Sequence, residues 1–233
     1  YRDDILKYSH TSDQSAVLQH IFNTAFSEVG RQISFEGFGG SSFKSQSVRN
    51  AFIILEKTSF FSLLYPYTST ILPTVPQRRK RPKLLMLDTG LLNYQANVME
   101  EYFTAKRLDS VFKGIAMEHI VGQMLLSIQQ KYRFELSFWK RDARSSTAEV
   151  DYVIIYRGKM IPIEVKAGKS GSLKSLLLFM DNAEHGLAIR IYDGEIGKEL
   201  LSTPNGKSFT LLNLHLGQTM RIPYYIDAYL DVI

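Results

Sequence analysis

The chain has 233 residues, of which 45% are hydrophobic and 22% charged; that is enough apolar content to bury about one or two ordinary cores, and not the composition of a disordered or fibrous chain. A net charge of +5 and an isoelectric point near 9.2 are compatible with an anionic partner and too mild to define one. The absence of cysteine excludes disulfides and thiolate metal sites and fits a reducing cytoplasm, the expected location. No apolar run approaches the ~18 residues of a membrane span, and no secretory signal opens the chain, which starts at Tyr1 as a fragment would.

In chain order, Asp13 predicts the cap of a helix carrying Val17, Leu18, Ile21, Phe22 and Phe26, ended by Gly30. Ile33 and Phe35 form a short apolar patch, and Gly37 to Ser42 read as a loop. Ser45 or Ser47 predicts the cap of a second helix with Val48, Phe52 and Leu55 inward. Phe60 to Tyr65 and Leu84 to Leu87 read as strands joined through a basic tip, Arg78-Arg79-Lys80-Arg81-Pro82-Lys83. Helix, turn, helix and a two-stranded wing is the order of a small winged-helix domain, expected over residues 1–92. Such a module can lay its second helix in a DNA groove and its wing along the backbone. Arg49 on that helix and Arg78, Arg79, Lys80 and Arg81 on the tip are then the candidate nucleic-acid contacts. The same tip also reads as a solvated loop on a module that docks against protein.

Two stretches imitate phosphate loops. In Gly39-Gly40-Ser41-Ser42-Phe43-Lys44-Ser45, Phe43 stands where glycine must precede lysine. Before Gly168-Lys169-Ser170, Ile163 stands where the first glycine belongs. Neither lets backbone amides cradle phosphates, so ATP is not expected as a ligand of this chain.

A second domain is expected over residues 93–233. Val111 to Gln130 predicts a long helix with Ile115, Val121, Met124, Leu125 and Ile128 inward. Glu118 lies in or beside that stripe with Gly114 and Gly122 one turn away. A carboxylate there needs a partner; a cation, an arginine and open solvent are the alternatives. Phe134 to Lys140 reads as a strand, Leu173 to about Asn182 as a helix, Leu187 to Tyr192 and Phe209 to Leu214 as strands, and Pro223 to Val232 as a closing helix.

The chemistry concentrates between Glu149 and Lys166. Glu149 to Tyr156 is rich in β-branched and aromatic residues, and Met160 to Lys166 alternates apolar Ile161, Ile163 and Val165 with Pro162, Glu164 and Lys166. A two-residue Arg157-Gly158 turn pairs Tyr156 with Lys159 and sets Asp151 opposite Glu164, with Val150, Tyr152 and Ile154 on the other face against Ile161, Ile163 and Val165. Two carboxylates would then stand about 5 Å apart on one face, beside Lys166. They repel unless a partner intervenes, and Mg²⁺ bound through one or two carboxylates plus a substrate phosphate is such a partner. A surface hairpin with solvated charges is the bland alternative.

Asp151, a gap, then Glu164-x-Lys166 resembles the motif of the PD-(D/E)XK phosphodiesterases. The order α-β-β-β-α-β from Val111 to Tyr192 is that of restriction-endonuclease-like folds, so the fold class is α/β (α+β), with that core after the winged helix. The whole chain is similar to the carboxy-terminal region of a group of prokaryotic AAA-like P-loop ATPases. The likeness rests on Tyr1-x-x-Asp4-Ile5, Pro82-Lys83-Leu84 leading to Asp88-Thr89-Gly90-Leu91-Leu92, Gly114-x-x-x-Glu118, Phe138-Trp139-Lys140, Glu149-Val150-Asp151 and Ile161 to Gly168. In that group an ATPase domain precedes the position of Tyr1, and the second half is a domain of unknown function resembling PD-(D/E)XK nucleases. The resemblance implies Glu118, Asp151 and Glu164 as the Mg²⁺-binding acids and Lys166 as the catalytic lysine. It also implies nucleic acid and the missing ATPase domain as partners. Three readings follow: a Mg²⁺-dependent nuclease, a nuclease-like module without turnover that regulates or binds protein, and a DNA-binding clamp.

Overall fold

The computed structural model describes residues 7–91, 115–143, 145–168 and 172–230. The expected helix start at Val111 to Gly114, the turn through Lys169, Ser170 and Gly171, and the proposed domain limit at residue 92 lie outside them, as do Tyr1, Asp4 and Ile5. Among the described residues no helix is long and apolar enough to cross a membrane.

These residues fall into two compact units. The first is a helical region with a small sheet. Its helix α1, Ser12–Thr24, is capped by Thr11, whose hydroxyl accepts from Gln14 N–H at 3.2 Å; Asp13, the expected cap, sits inside the first turn instead. Helix α2, Ser45–Lys57, follows Lys44, which offers no side-chain cap, so Ser45 and Ser47 are helical residues rather than caps. Both helices bury the faces that periodicity predicts: Leu18 and Ile21 from α1, and Val48, Phe52 and Leu55 from α2, have no accessible surface. Strands β1, Phe61–Leu64, and β3, Lys83–Met86, pair antiparallel. Gly30 N–H donates to Leu84 O at 2.8 Å and Ile33 N–H to Pro82 O at 2.9 Å, extending the small sheet on its other side.

Tyr65–Arg78 groups with the second unit, although the sequence places it in the first domain. It supplies β2, Pro66–Tyr67, to a seven-stranded mixed sheet. The other members are β4 (Ser137–Lys140), β5 (Glu149–Tyr156), β6 (Lys159–Lys166), β7 (Leu187–Tyr192), β8 (Gly197–Ser202) and β9 (Ser208–His215), ordered β2-β4-β5-β6-β7-β9-β8. The helices are α3, Ile115–Tyr132, α4, Lys174–Asn182, and α5, Ile222–Leu230. The run α3-β4-β5-β6-α4-β7 follows the expected element order.

The β5–β6 hairpin has the register that the alternation predicts: Tyr156 opposes Lys159 and Tyr152 opposes Ile163. Arg157 and Gly158 have φ of 48° and 68°, the two positive values of a tight hairpin turn whose twist matches the strands. A Cβ on Gly158 would meet nothing within 4 Å, so only backbone strain opposes substitution. Gly158→Val is expected to cost about 1–2 kcal/mol in denaturant unfolding, whereas an unchanged midpoint would show that the turn tolerates another conformation. Helix α5 braces this tip: Arg157 Nε meets Asp227 Oδ1 at 2.8 Å, and Tyr156 O–H donates to Asp227 Oδ2 at 3.0 Å.

Alternation predicts a hairpin buried on one face, and here the structure differs. Tyr152, Ile154, Ile161 and Ile163 are fully buried, as expected, but so are Val153 and, within 1%, Met160 on the other face. Val153 and Met160 pack with Leu176, Phe179 and Met180 of α4, while Tyr152 O–H donates to the Glu118 carbonyl of α3 at 2.8 Å. The sheet is thus a middle layer with a helix on each side. Pro162 is tolerated in an inner strand because β7 pairs with β6 only from Ile163 onward, so no neighbour on that side requires its missing N–H.

Candidate active site

Continuing the observed register by one residue sets Asp151 opposite Glu164. The side-chain period of two sends both, with Lys166, to the α4 side of the sheet. Asp151 is fixed there by the main chain, its Oδ2 accepting from Val165 N–H at 2.8 Å. Glu164 is only 4% exposed; its Oε1 receives Lys166 Nζ at 2.6 Å, and its Oε2 is buried with no hydrogen-bond partner. Burial, together with the negative charge of Asp151, pushes the Glu164 carboxyl up to about 8 from its ordinary 4.5, against the opposing pull of Lys166. Glu118 adds a smaller push in the same direction.

Three of the four expected residues are therefore together. Glu118 stands in the first turn of α3, where its backbone carbonyl accepts from Tyr152 O–H, and its charge still reaches Glu164. Among the described residues no three His, Cys, Asp or Glu side chains are grouped so as to hold a metal ion. His119, beside Glu118, is wholly buried. The Asp151–Glu164 pair nonetheless fits a hard divalent cation. Two carboxylates supply oxygen donors of the right chemistry, one donor atom has no other partner, and a positive ion would relieve the repulsion that raises Glu164.

Glu164 and Lys166 border an open cleft of about 780 Å³ that Arg141, Lys174, Ser175 and neighbouring hydroxyl residues also line. Arg141 and Lys174 belong to no motif in the sequence. The sequence signal for them is the run Ser145-Ser146-Thr147 before the hairpin and Ser172-x-Lys174-Ser175 after it, hydroxyl and basic residues on both sides of the acids.

The basic run of the first unit is divided. Arg79, Lys80 and Arg81 line a cavity of about 240 Å³ with Ser45, Gln46 and Arg49 of α2, and the Arg49 guanidinium lies 4.9 Å from the Phe35 ring centroid. Arg78 belongs to the second unit, where it meets Glu135 at 3.2 Å and lies over the Tyr65 ring at 5.2 Å. That pair is solvated on both sides, and such pairs contribute little to stability.

A comparison with curated proteins gives no match. Two family models match, both described as domains of unknown function: DUF8612 over residues 1–102, and DUF4143 over residues 113–211, the span that holds Glu118, Asp151, Glu164 and Lys166.

Proposed function

We propose that the second unit is a metal-dependent phosphodiesterase module of restriction-endonuclease-like fold that acts on nucleic acid. The observation that carries this reading is the buried Glu164 carboxylate, opposite Asp151 and bonded to Lys166 at 2.6 Å, with one oxygen unpartnered at the edge of an open cleft. Asp151 and Glu164 would hold the cation, with Glu118 nearby as a further charge. When bound, such an ion polarises a phosphoryl oxygen and favours deprotonation of water. The chain's own residues do the rest. Val165 N–H keeps Asp151 turned toward Glu164. The Lys166 ammonium, held at the cleft by Glu164, can donate to a phosphate oxygen as negative charge grows on it. Helix α4 and the inner strands bury the Glu164 carboxyl, which strengthens the interactions it makes. The resemblance of the chain to the carboxy-terminal region of AAA-like ATPases is what supports an ATPase domain as the proposed partner of this module. The test is incubation with DNA and RNA in Mn²⁺ or Mg²⁺ against EDTA. Ion-dependent strand cleavage supports the proposal, and intact substrates under every condition oppose it.

The first unit supports a companion reading as a winged-helix module that contacts nucleic acid. Arg49, Arg79, Lys80 and Arg81 converge on one cavity at the start of α2. Replacing these four with alanine is expected to weaken duplex binding and to lower the slope of log affinity against log salt by up to about 3 to 4. An unchanged slope measured by fluorescence anisotropy would remove the phosphate contacts, and would favour a module that binds protein.

A further inference from the structure

Glu164 and Lys166 are one part of the cleft lining, and the remainder has a different character. Arg141 follows β4, Lys174 opens α4, and both are exposed. Neither has an ion-pair partner among the described residues. With Lys166 they place three cationic side chains around a cleft lined by one carboxylate, that of Glu164.

The hydroxyls are arranged to match. Ser146 Oγ accepts from Ala148 N–H at 3.2 Å, Ser172 Oγ from Lys174 N–H at 3.3 Å, and Ser175 Oγ from Glu149 N–H at 3.3 Å. Each oxygen is thus anchored by the main chain through its acceptor side, and each hydroxyl hydrogen is left to donate. The lining therefore offers donors and positive charge with few competing acceptors. A volume of about 780 Å³ is more than a single phosphate requires and is in the range of sites for organic ligands of several rings.

From this geometry we infer that Arg141, Lys174 and the hydroxyls of Ser146, Ser172 and Ser175 form a subsite for the phosphate next to the one at Glu164 and Lys166. The ligand is then a nucleic-acid strand with consecutive phosphodiesters rather than an isolated phosphoester. This deepens the phosphodiesterase reading and rests on it for the position of the reacting phosphate, but the subsite itself is a matter of binding. Arg141 and Lys174 are positioning residues, which hold the strand so that one of its phosphates reaches Lys166.

The experiment is fluorescence anisotropy with a labelled single strand of about 12 nucleotides, titrated with the full chain in EDTA across a range of salt. The proteins are wild type, Arg141→Ala/Lys174→Ala, and a control that loses equal charge elsewhere, Lys198→Ala/Arg221→Ala. The subsite predicts that the first double variant binds at least about tenfold more weakly and that its salt slope falls by about 1.4, the equivalent of two phosphate contacts on a single strand. The control should bind like wild type. All four residues are exposed, so thermal melts should coincide. Equal weakening in both double variants, unchanged binding in Arg141→Ala/Lys174→Ala, or no binding by wild type overturns the subsite. Because no cleavage occurs in EDTA, the two ideas fail separately. Binding lost in Arg141→Ala/Lys174→Ala, with no turnover by wild type in Mn²⁺, sinks the enzyme and keeps the subsite. Turnover with unaffected binding does the reverse.

Discussion

Glu164→Gln is expected to abolish metal-dependent cleavage, by at least about a hundredfold, and to stabilise the metal-free protein at alkaline pH. The second effect follows from the position of the carboxyl. In the folded chain it titrates near 8 rather than 4.5, because burial and Asp151 both disfavour its charge. Between those values the native state holds a proton that the unfolded chain releases, so stability falls as pH rises from 4.5 to 8. Below that window the carboxyl is neutral in both states and glutamine offers no advantage. Above it, the wild type carries a buried charge that the amide avoids, a difference on the order of a few kcal/mol. Thermal melts in EDTA at pH 4.5 and pH 8.5 check this. Equal midpoints for wild type and Glu164→Gln at both pH values would mean that Glu164 is not buried beside Asp151 as described.

Lys166→Met keeps the apolar stem and removes the ammonium that meets Glu164 Oε1. Breaking one side of a largely buried pair leaves the other charge uncompensated, at a cost of about 3 kcal/mol. Here that cost should appear mainly above pH 8, since at lower pH the carboxyl can take up a proton instead. Cleavage should fall about a hundredfold, as expected when a cation no longer meets the developing phosphate charge. The Glu164→Gln/Lys166→Met double variant should recover most of the alkaline stability, because no orphaned charge remains. Strictly additive losses in this cycle would place the two side chains out of contact.

The hairpin was legible in the sequence because its information is local. Period-two alternation on both sides of Arg157-Gly158 admits one register that buries Tyr152 and Ile154 against Ile163 and Ile161, and that register sets Asp151 against Glu164. Helices α1, α2 and α4 were legible for a similar reason, since each carries an apolar stripe over a few turns. Strand β2 was not: Pro66–Tyr67 is two residues long and is a strand only because β4 lies beside it. Strand β8 was hidden by its position at the sheet edge, where nearly every side chain, Leu200 included, is exposed and no burial pattern forms. The second buried face of β5 and β6 was missed because Val153 and Met160 are covered by α4, a contact no local pattern records. The same limit applies to the cleft. Arg141 and Lys174 are brought to the hairpin by tertiary packing from opposite sides of it in sequence, and the split of Arg78 from Arg79 depends on which unit each residue joins.

Titration calorimetry with Mn²⁺ at pH 8, on wild type and Asp151→Asn, tests the central claim most directly. The paired carboxylates predict saturable binding by wild type that Asp151→Asn loses. Absence of binding by wild type, or equal affinity in Asp151→Asn, would contradict a cation site built on Asp151 and Glu164.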